Sequence, residues 1–137
     1  MSEIKIIGKG EKYAHASVGM METINSKLFL KEQIDATSCE ISFGSLPSGA
    51  AVPFFHSHSH DEEIYIILSG HGRFQVDNEV FDIAEGSVIR VATNCDRNLK
   101  CTSSPCPMTY ICIQAKENSL NEYTLTDAQI TERSNLL

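Results

Sequence analysis

The chain lacks the features that mark several classes of protein. Its 137 residues contain no apolar run near the roughly 18 residues that a membrane-spanning helix requires. The first eight residues lack the basic-then-apolar layout of a secretory signal. Positive charge is scarce, since 11 Lys and Arg face 18 Asp and Glu, and the net charge of -7 opposes binding to phosphate backbones. We therefore expect a cytoplasmic protein without a membrane span and without a nucleic-acid partner.

The chain also lacks a recognisable cysteine framework. Its five cysteines form no Cys-x-x-Cys pair, and an odd number in a cytoplasmic chain of this size predicts reduced thiols. A zinc site built from Cys95, Cys101 and Cys106 would have spacings that match no common zinc motif.

What the chain does have is a recurring strand pattern. Short runs rich in β-branched and aromatic residues alternate with clusters of turn-forming residues. The runs lie at residues 27–30, 39–43, 64–68, 73–76, 80–83, 87–91 and 109–113. Asp77 and Asn78 separate two of them, as in a tight hairpin. The pattern predicts one all-β domain over residues 1–137, a sandwich or barrel with its core at about residues 25–115.

The two ends of the chain are less patterned. The first ten or so residues could pair as an edge strand. Residues 117–137 form a polar tail, in which Thr126 and Gln129 offer the capping box of a short helix. A short helix and an irregular tail both agree with the sequence.

Residues 53–70 carry the most specific chemical pattern. His56 and His58 are two residues apart, so on an extended segment both imidazoles leave the same face. Glu63 opens the next strand, and the four residues between His58 and Glu63 can bring its carboxylate beside the two rings. Two imidazoles and one carboxylate, with open positions left, suit iron(II) and also accept zinc, nickel or manganese. Glu62 would replace Glu63 if the loop were one residue shorter.

This stretch resembles the first motif of the cupin superfamily. His56 and His58, four residues, Glu63, six residues and Gly70 reproduce its spacing, while the leading glycine, Gly49, is offset by one residue. The resemblance implies a barrel of six or more strands (a double-stranded β-helix) and a divalent metal held by these two histidines and this glutamate. It also implies a homodimer and a small-molecule ligand. In enzymes of the family, it implies dioxygenase, isomerase, epimerase or decarboxylase activity.

The second cupin motif is preserved mainly at Gly86. Its later positions fall on Ala92, Asn94, Arg97 and Cys101. Asparagine tolerates the left-handed conformation that the motif's glycine supplies. Arg97 stands where the family has a fourth metal ligand, and a guanidinium has no lone pair to donate. Residues that could fill the vacant position instead are Cys95, Asp96 and His60.

Two arrangements follow from Arg97. In the first, His56, His58 and Glu63 hold a metal ion while Arg97 binds an anionic substrate by paired hydrogen bonds. In the second, Arg97 points into the barrel, pairs with Glu63 and replaces the metal, which leaves a non-catalytic binding protein.

Strand parity selects the remaining candidates. Tyr65 and Ile67 share parity with Glu63 and should face the barrel interior, which makes Tyr65 a candidate substrate-binding residue. Tyr110 and Cys112 either approach the same cavity or fill the barrel core. No general base stands out, so the sequence selects no reaction and leaves open whether the protein is an enzyme.

Overall fold

The protein is an all-β structure, as predicted. The computed structural model describes residues 3–137, and over this range the chain forms ten strands and two short 3₁₀ turns, with no α-helix. The strands are β1 (Lys5–Lys9), β2 (Ala14–Ser17), β3 (Leu28–Phe29), β4 (Glu40–Leu46), β5 (Asp61–Ser69), β6 (His71–Val76), β7 (Glu79–Ala84), β8 (Val88–Val91), β9 (Arg97–Cys101) and β10 (Met108–Lys116). Within residues 3–137, no helix is long and apolar enough to cross a membrane.

Two antiparallel sheets enclose the main core. The larger has the strand order β3-β4-β10-β5-β8, and the smaller has the order β7-β6-β9. Strands from both sheets contribute alternate residues to one buried cluster, in which Phe74, Met108 and Cys101 are completely buried. This is the two-layer arrangement by which antiparallel sheets bury one face each.

The predicted strand boundaries are close to the observed ones where the alternation is clear. Asp77 has a φ of 50° and joins β6 to β7, so the tight hairpin is confirmed. Gly70 has a φ of +78°, and a Cβ there would lie 2.7 Å from the Pro107 carbonyl oxygen, so both backbone conformation and space require glycine. The pattern did not predict β9, which begins with the buried, charged residue Arg97.

The N-terminal segment forms a second, smaller core. Strands β1 and β2 pair with each other as a hairpin, so the predicted edge strand joins its own neighbour and neither of the two larger sheets. Val18, Ile24, Leu28 and Leu30 are buried together and pack against Ile41 and Phe43. Leu28 therefore points away from the main core, which directs the residues on either side of it toward the opposite face of the sheet.

The C-terminal tail does not form the helix that a capping box at Thr126 would begin. Thr126 instead ends a 3₁₀ turn (Thr124–Thr126), and its hydroxyl accepts a hydrogen bond from the Tyr123 backbone N–H at 2.9 Å. Residues 117–137 are exposed throughout, so no apolar face is buried that would stabilise a helix.

Candidate metal centre and cavity

The structure brings His56, His58 and Glu63 together at the base of the barrel. Glu63 lies on β5, where it alternates with half-buried residues and points inward beside Tyr65 and Ile67, as predicted. The histidine segment is held by the start of β9 and by the loop before it. The N–H of Arg97, the first residue of β9, donates to the His56 carbonyl at 3.1 Å, and the Asn94 N–H in the loop donates to the His58 carbonyl at 2.8 Å. Asn94 has a φ of 60°, the left-handed conformation expected for it.

The three side chains have the geometry of a ligand set. His56 Nε2 lies 3.4 Å from Glu63 Oε1, and His58 Nε2 lies 3.4 Å from Glu63 Oε2. One candidate ligand atom from each residue lies within 4.8 Å of the other two. Donor atoms that share an ion at about 2.1 Å, at angles between octahedral and tetrahedral, are separated by about 3.0–3.4 Å. The residues present therefore fit a divalent metal ion.

Two further hydrogen bonds fix the Glu63 carboxylate. The Tyr65 hydroxyl donates to Oε1 at 2.9 Å, and the Cys112 thiol donates to Oε2 at 3.2 Å. Burial alone would raise the pKa of Glu63, but the hydrogen bonds from Cys112 and Tyr65 and the nearby charges of His58 and Arg97 hold it below its usual value. Burial raises the pKa of Cys112 to about 12 and also raises that of Tyr65, so both remain protonated donors. Glu63 is thus a buried, ionised carboxylate.

Arg97 points into the barrel and contacts the same carboxylate. Its side chain is completely buried, and Nη1 lies 3.2 Å from Glu63 Oε1, although the angle is not that of a hydrogen bond. Nη2 donates to the Ala92 carbonyl at 3.4 Å, while Nε has no hydrogen-bond partner among residues 3–137. The pairing of Arg97 with Glu63, which belongs to the second of the two arrangements considered above, is present, and the histidine–glutamate cluster stays assembled beside it.

His56 is kept in its neutral form by its surroundings. Burial and the charges of Arg97 and His58 lower its pKa, and they outweigh the opposing effect of Glu63. A neutral imidazole has a free lone pair, which metal binding requires. His56 Nδ1 is buried and has no hydrogen-bond partner among the described residues.

The other candidate ligands lie elsewhere. Among residues 3–137, the group that could hold an ion contains His56, His58 and Glu63 and does not extend to the alternatives. His60 is exposed, the Asp96 backbone pairs with Asp77, and Glu62 pairs with Arg90 at 3.3 Å. Cys95, Cys101 and Cys106 are free thiols and form no metal cluster in this part of the chain.

A cavity of about 550 Å³ opens above the cluster. Apolar and aromatic side chains form much of its wall. They are Phe29, Leu46, Val52, Pro53, Phe54, Leu99 and Tyr110. Asn98 fixes part of the rim, because its side-chain N–H groups donate to the carbonyls of Val52 at 2.9 Å and Phe54 at 3.2 Å. The size is that of pockets which bind small organic molecules.

Sequence reasoning did not assign most of the lining residues to this cavity, and three of them have a clear structural role. Lys27 enters the cavity from the segment before β3, Asn98 supports its rim, and Gly44 makes room for the ring of Tyr110. Gly44 and Tyr110 are opposite each other on β4 and β10, and a Cβ at Gly44 would lie 2.6 Å from the Tyr110 ring. The parity of Lys27 with Phe29, on either side of buried Leu28, was the signal that could have identified it.

Comparisons with known proteins agree with this architecture. The cupin domain family matches residues 42–114. A cupin protein from Bacteroides fragilis shares 36% identity and a TM-score of 0.82, over 90% of this chain and 100% of its own. A search of curated proteins finds no significant match.

More distant structures share the fold alone. A predicted oxalate decarboxylase from Thermotoga maritima is 19% identical with a TM-score of 0.60, covering 84% of this chain and 93% of its own. The Cnp3 cupin domain of Schizosaccharomyces pombe is 18% identical with a TM-score of 0.59, covering 76% of this chain and 78% of its own. From the domain match and the Bacteroides fragilis structure together, we conclude that the chain belongs to the cupin family.

Proposed function

We propose that this cupin binds one divalent metal ion through His56, His58 and Glu63 and receives a small polar or anionic metabolite in the cavity above it. The observation that carries this proposal is the separation of 3.4 Å between each imidazole Nε2 and a Glu63 oxygen, which suits donors of one ion. Iron, zinc, nickel and manganese all accept this ligand set.

The charges around the site favour an anionic partner. Glu63 is the carboxylate that contacts both histidines and Arg97. A divalent ion beside the buried guanidinium would leave an excess of positive charge, which a single carboxylate does not neutralise. A bound anion would supply the missing negative charge. A metal ion in such a site acts as a Lewis acid toward oxygen atoms of a bound molecule.

Arg97 and Tyr65 keep the substrate-binding roles predicted for them as part of this proposal. Both line the cavity, and both are directed at Glu63 Oε1. They hold the carboxylate in place, and in this proposal they also bind a polar group of the ligand. If the protein is an enzyme, the metal and the ligand together decide whether the reaction is of the dioxygenase or the isomerase type.

A second candidate function rests on the contact of 3.2 Å between Arg97 and Glu63. A buried guanidinium beside the carboxylate can act as its permanent counter-ion, so that the cavity binds a small molecule without metal and without catalysis. The two functions differ in metal content and share the cavity.

Elemental mass spectrometry of protein purified without an affinity tag separates them. Near one equivalent of metal in the wild type, lost in both His56→Ala and Glu63→Gln, supports the metal centre and identifies the ion. Trace metal that neither substitution changes favours the metal-free binding protein. His15→Ala is the control, because His15 lies on β2, outside the group that could hold an ion.

A cytoplasmic location and a homodimer belong to the same proposal. The five free cysteines suit a reducing compartment and so support the first, and resemblance to small cupins supports the second. Light scattering after size-exclusion chromatography gives the oligomeric state directly.

A further inference from the structure

Lys27 is the accessible positive charge in the cavity. It lines the cavity wall and is an exposed residue, whereas the Arg97 side chain is completely buried and adjoins Glu63. Leu28 is buried in the N-terminal core, so its neighbours Lys27 and Phe29 are directed to the cavity side of the sheet. Lys27 is therefore a positive charge that a ligand in the cavity can reach.

The Lys27 ammonium group contacts aromatic rings. Nζ lies 5.1 Å from the centre of the Tyr110 ring and 5.9 Å from that of Phe29, both within the range of a cation–π contact. Among residues 3–137, its Nζ makes no ion pair with a carboxylate. Glu40, which also lines the cavity, instead accepts hydrogen bonds from the backbone N–H groups of Leu30 and Lys31. The charge of Lys27 is therefore available to a ligand.

The rings beneath Lys27 lead to the candidate metal centre. Tyr110 and Tyr65 are tilted neighbours with ring centres 6.1 Å apart, and the Tyr65 hydroxyl reaches Glu63 at 2.9 Å. Phe29 and Phe54, which also line the cavity, are 56% and 60% exposed. Their rings therefore offer apolar surface that a ligand could cover.

We propose that Lys27 is a specificity-determining residue, which selects small organic acids with a flat or short apolar body. The ammonium group binds the carboxylate of the acid, and Phe29, Phe54 and Tyr110 contact its apolar body. Charge-assisted hydrogen bonds to Lys27 distinguish the acid from a neutral molecule of the same shape. This inference rests on the proposed function for the cavity as the ligand site and is independent of whether metal lies at its base.

Binding of benzoate and of benzamide by isothermal titration calorimetry tests the proposal. The two probes have the same shape and differ in charge. We expect Lys27→Met to weaken benzoate binding by about tenfold or more and to leave benzamide binding unchanged. Lys27→Arg should retain most of the benzoate affinity, because it keeps the charge. Lys12→Met is the matched control, since it removes the same charge from an exposed turn outside the cavity.

Three results would overturn the role of Lys27. They are benzoate affinity that Lys27→Met does not change, equal loss of both probes, and absence of benzoate binding to the wild type at millimolar concentration. Metal content measured on the same samples keeps the two proposals separate. A metal-free wild type whose benzoate binding depends on Lys27 refutes the metal centre alone, and a metal-loaded protein indifferent to Lys27 refutes this inference alone.

Discussion

The buried contact between Arg97 and Glu63 predicts a large and strongly coupled effect on stability. Arg97 is 1% exposed and Glu63 5%, so neither charge is screened by solvent. Removing one partner of a buried ion pair leaves the other charge uncompensated, at a cost of about 3–5 kcal/mol. In metal-stripped protein, we expect a loss of that size in the free energy of unfolding of Arg97→Met and of Glu63→Gln. For a chain of this length it corresponds to a drop in Tm of roughly 10–20 °C.

The double variant, Arg97→Met with Glu63→Gln, measures how strongly the two charges are coupled. Because this variant leaves no unpaired charge, it should be about as stable as either single variant, which gives a coupling energy of about 3–5 kcal/mol, equal to one single loss. Urea denaturation followed by circular dichroism and tyrosine fluorescence measures all four proteins, since the chain has 4 Tyr and no Trp.

An exposed pair of similar length is the control. Arg73 Nε lies 3.1 Å from Asp82 Oδ1, with side chains 54% and 88% exposed. Arg73→Met with Asp82→Asn should therefore show a coupling of only about 0–1 kcal/mol. Additive losses at Arg97 and Glu63, or a coupling no larger than that of the surface pair, would refute the account of the buried contact.

Four further predictions concern the same region. Arg97→His should raise the affinity for zinc or nickel, measured by calorimetry on metal-stripped protein, because it removes a positive charge and adds an imidazole; unchanged affinity would count against the metal centre. Gly44→Ala should force the Tyr110 ring into the cavity and weaken benzoate binding about tenfold, with near-ultraviolet circular dichroism reporting the ring movement. Cys112→Ser should retain metal and stability better than Cys112→Ala, since only serine still donates to Glu63. The pKa of Glu63 in the folded protein lies below its ordinary value of 4.5, so the ionised carboxylate contributes to the free energy of unfolding above pH 4.5, and this contribution is lost as the pH falls through the folded pKa. The free energy of unfolding of Glu63→Gln, measured by urea denaturation over the same pH range, should lack this decline.

The sequence predicted best where alternation and spacing constrain the chain strongly. Along β5 the buried and half-buried residues alternate as expected, because one face of the strand lines the barrel. The spacing from His56 to Glu63 led to the cluster that the structure assembles. The positive φ of Asn94 followed from the tolerance of asparagine for that conformation.

What the sequence did not predict depends on contacts between distant segments. Strand β9 was not predicted, because its first residue, Arg97, is both charged and buried and so breaks the apolar alternation typical of a strand. Lys27 resembled a surface residue because its role depends on the ring of Tyr110, which lies 83 positions further along the chain. The space that Gly44 leaves is likewise visible only once β4 and β10 are paired.

Strand β9 also makes the cavity sensitive to register. Arg97 at its start reaches the base, and the next residue, Asn98, ties down the rim through Val52 and Phe54. A slip of β9 by one position against β6 that put Asn98 in the place of Arg97 would also put Leu99, which has no side-chain donor, in the place of Asn98. A single displacement would thus damage both ends of the cavity, so mutational robustness in this protein should be lowest where β9 begins.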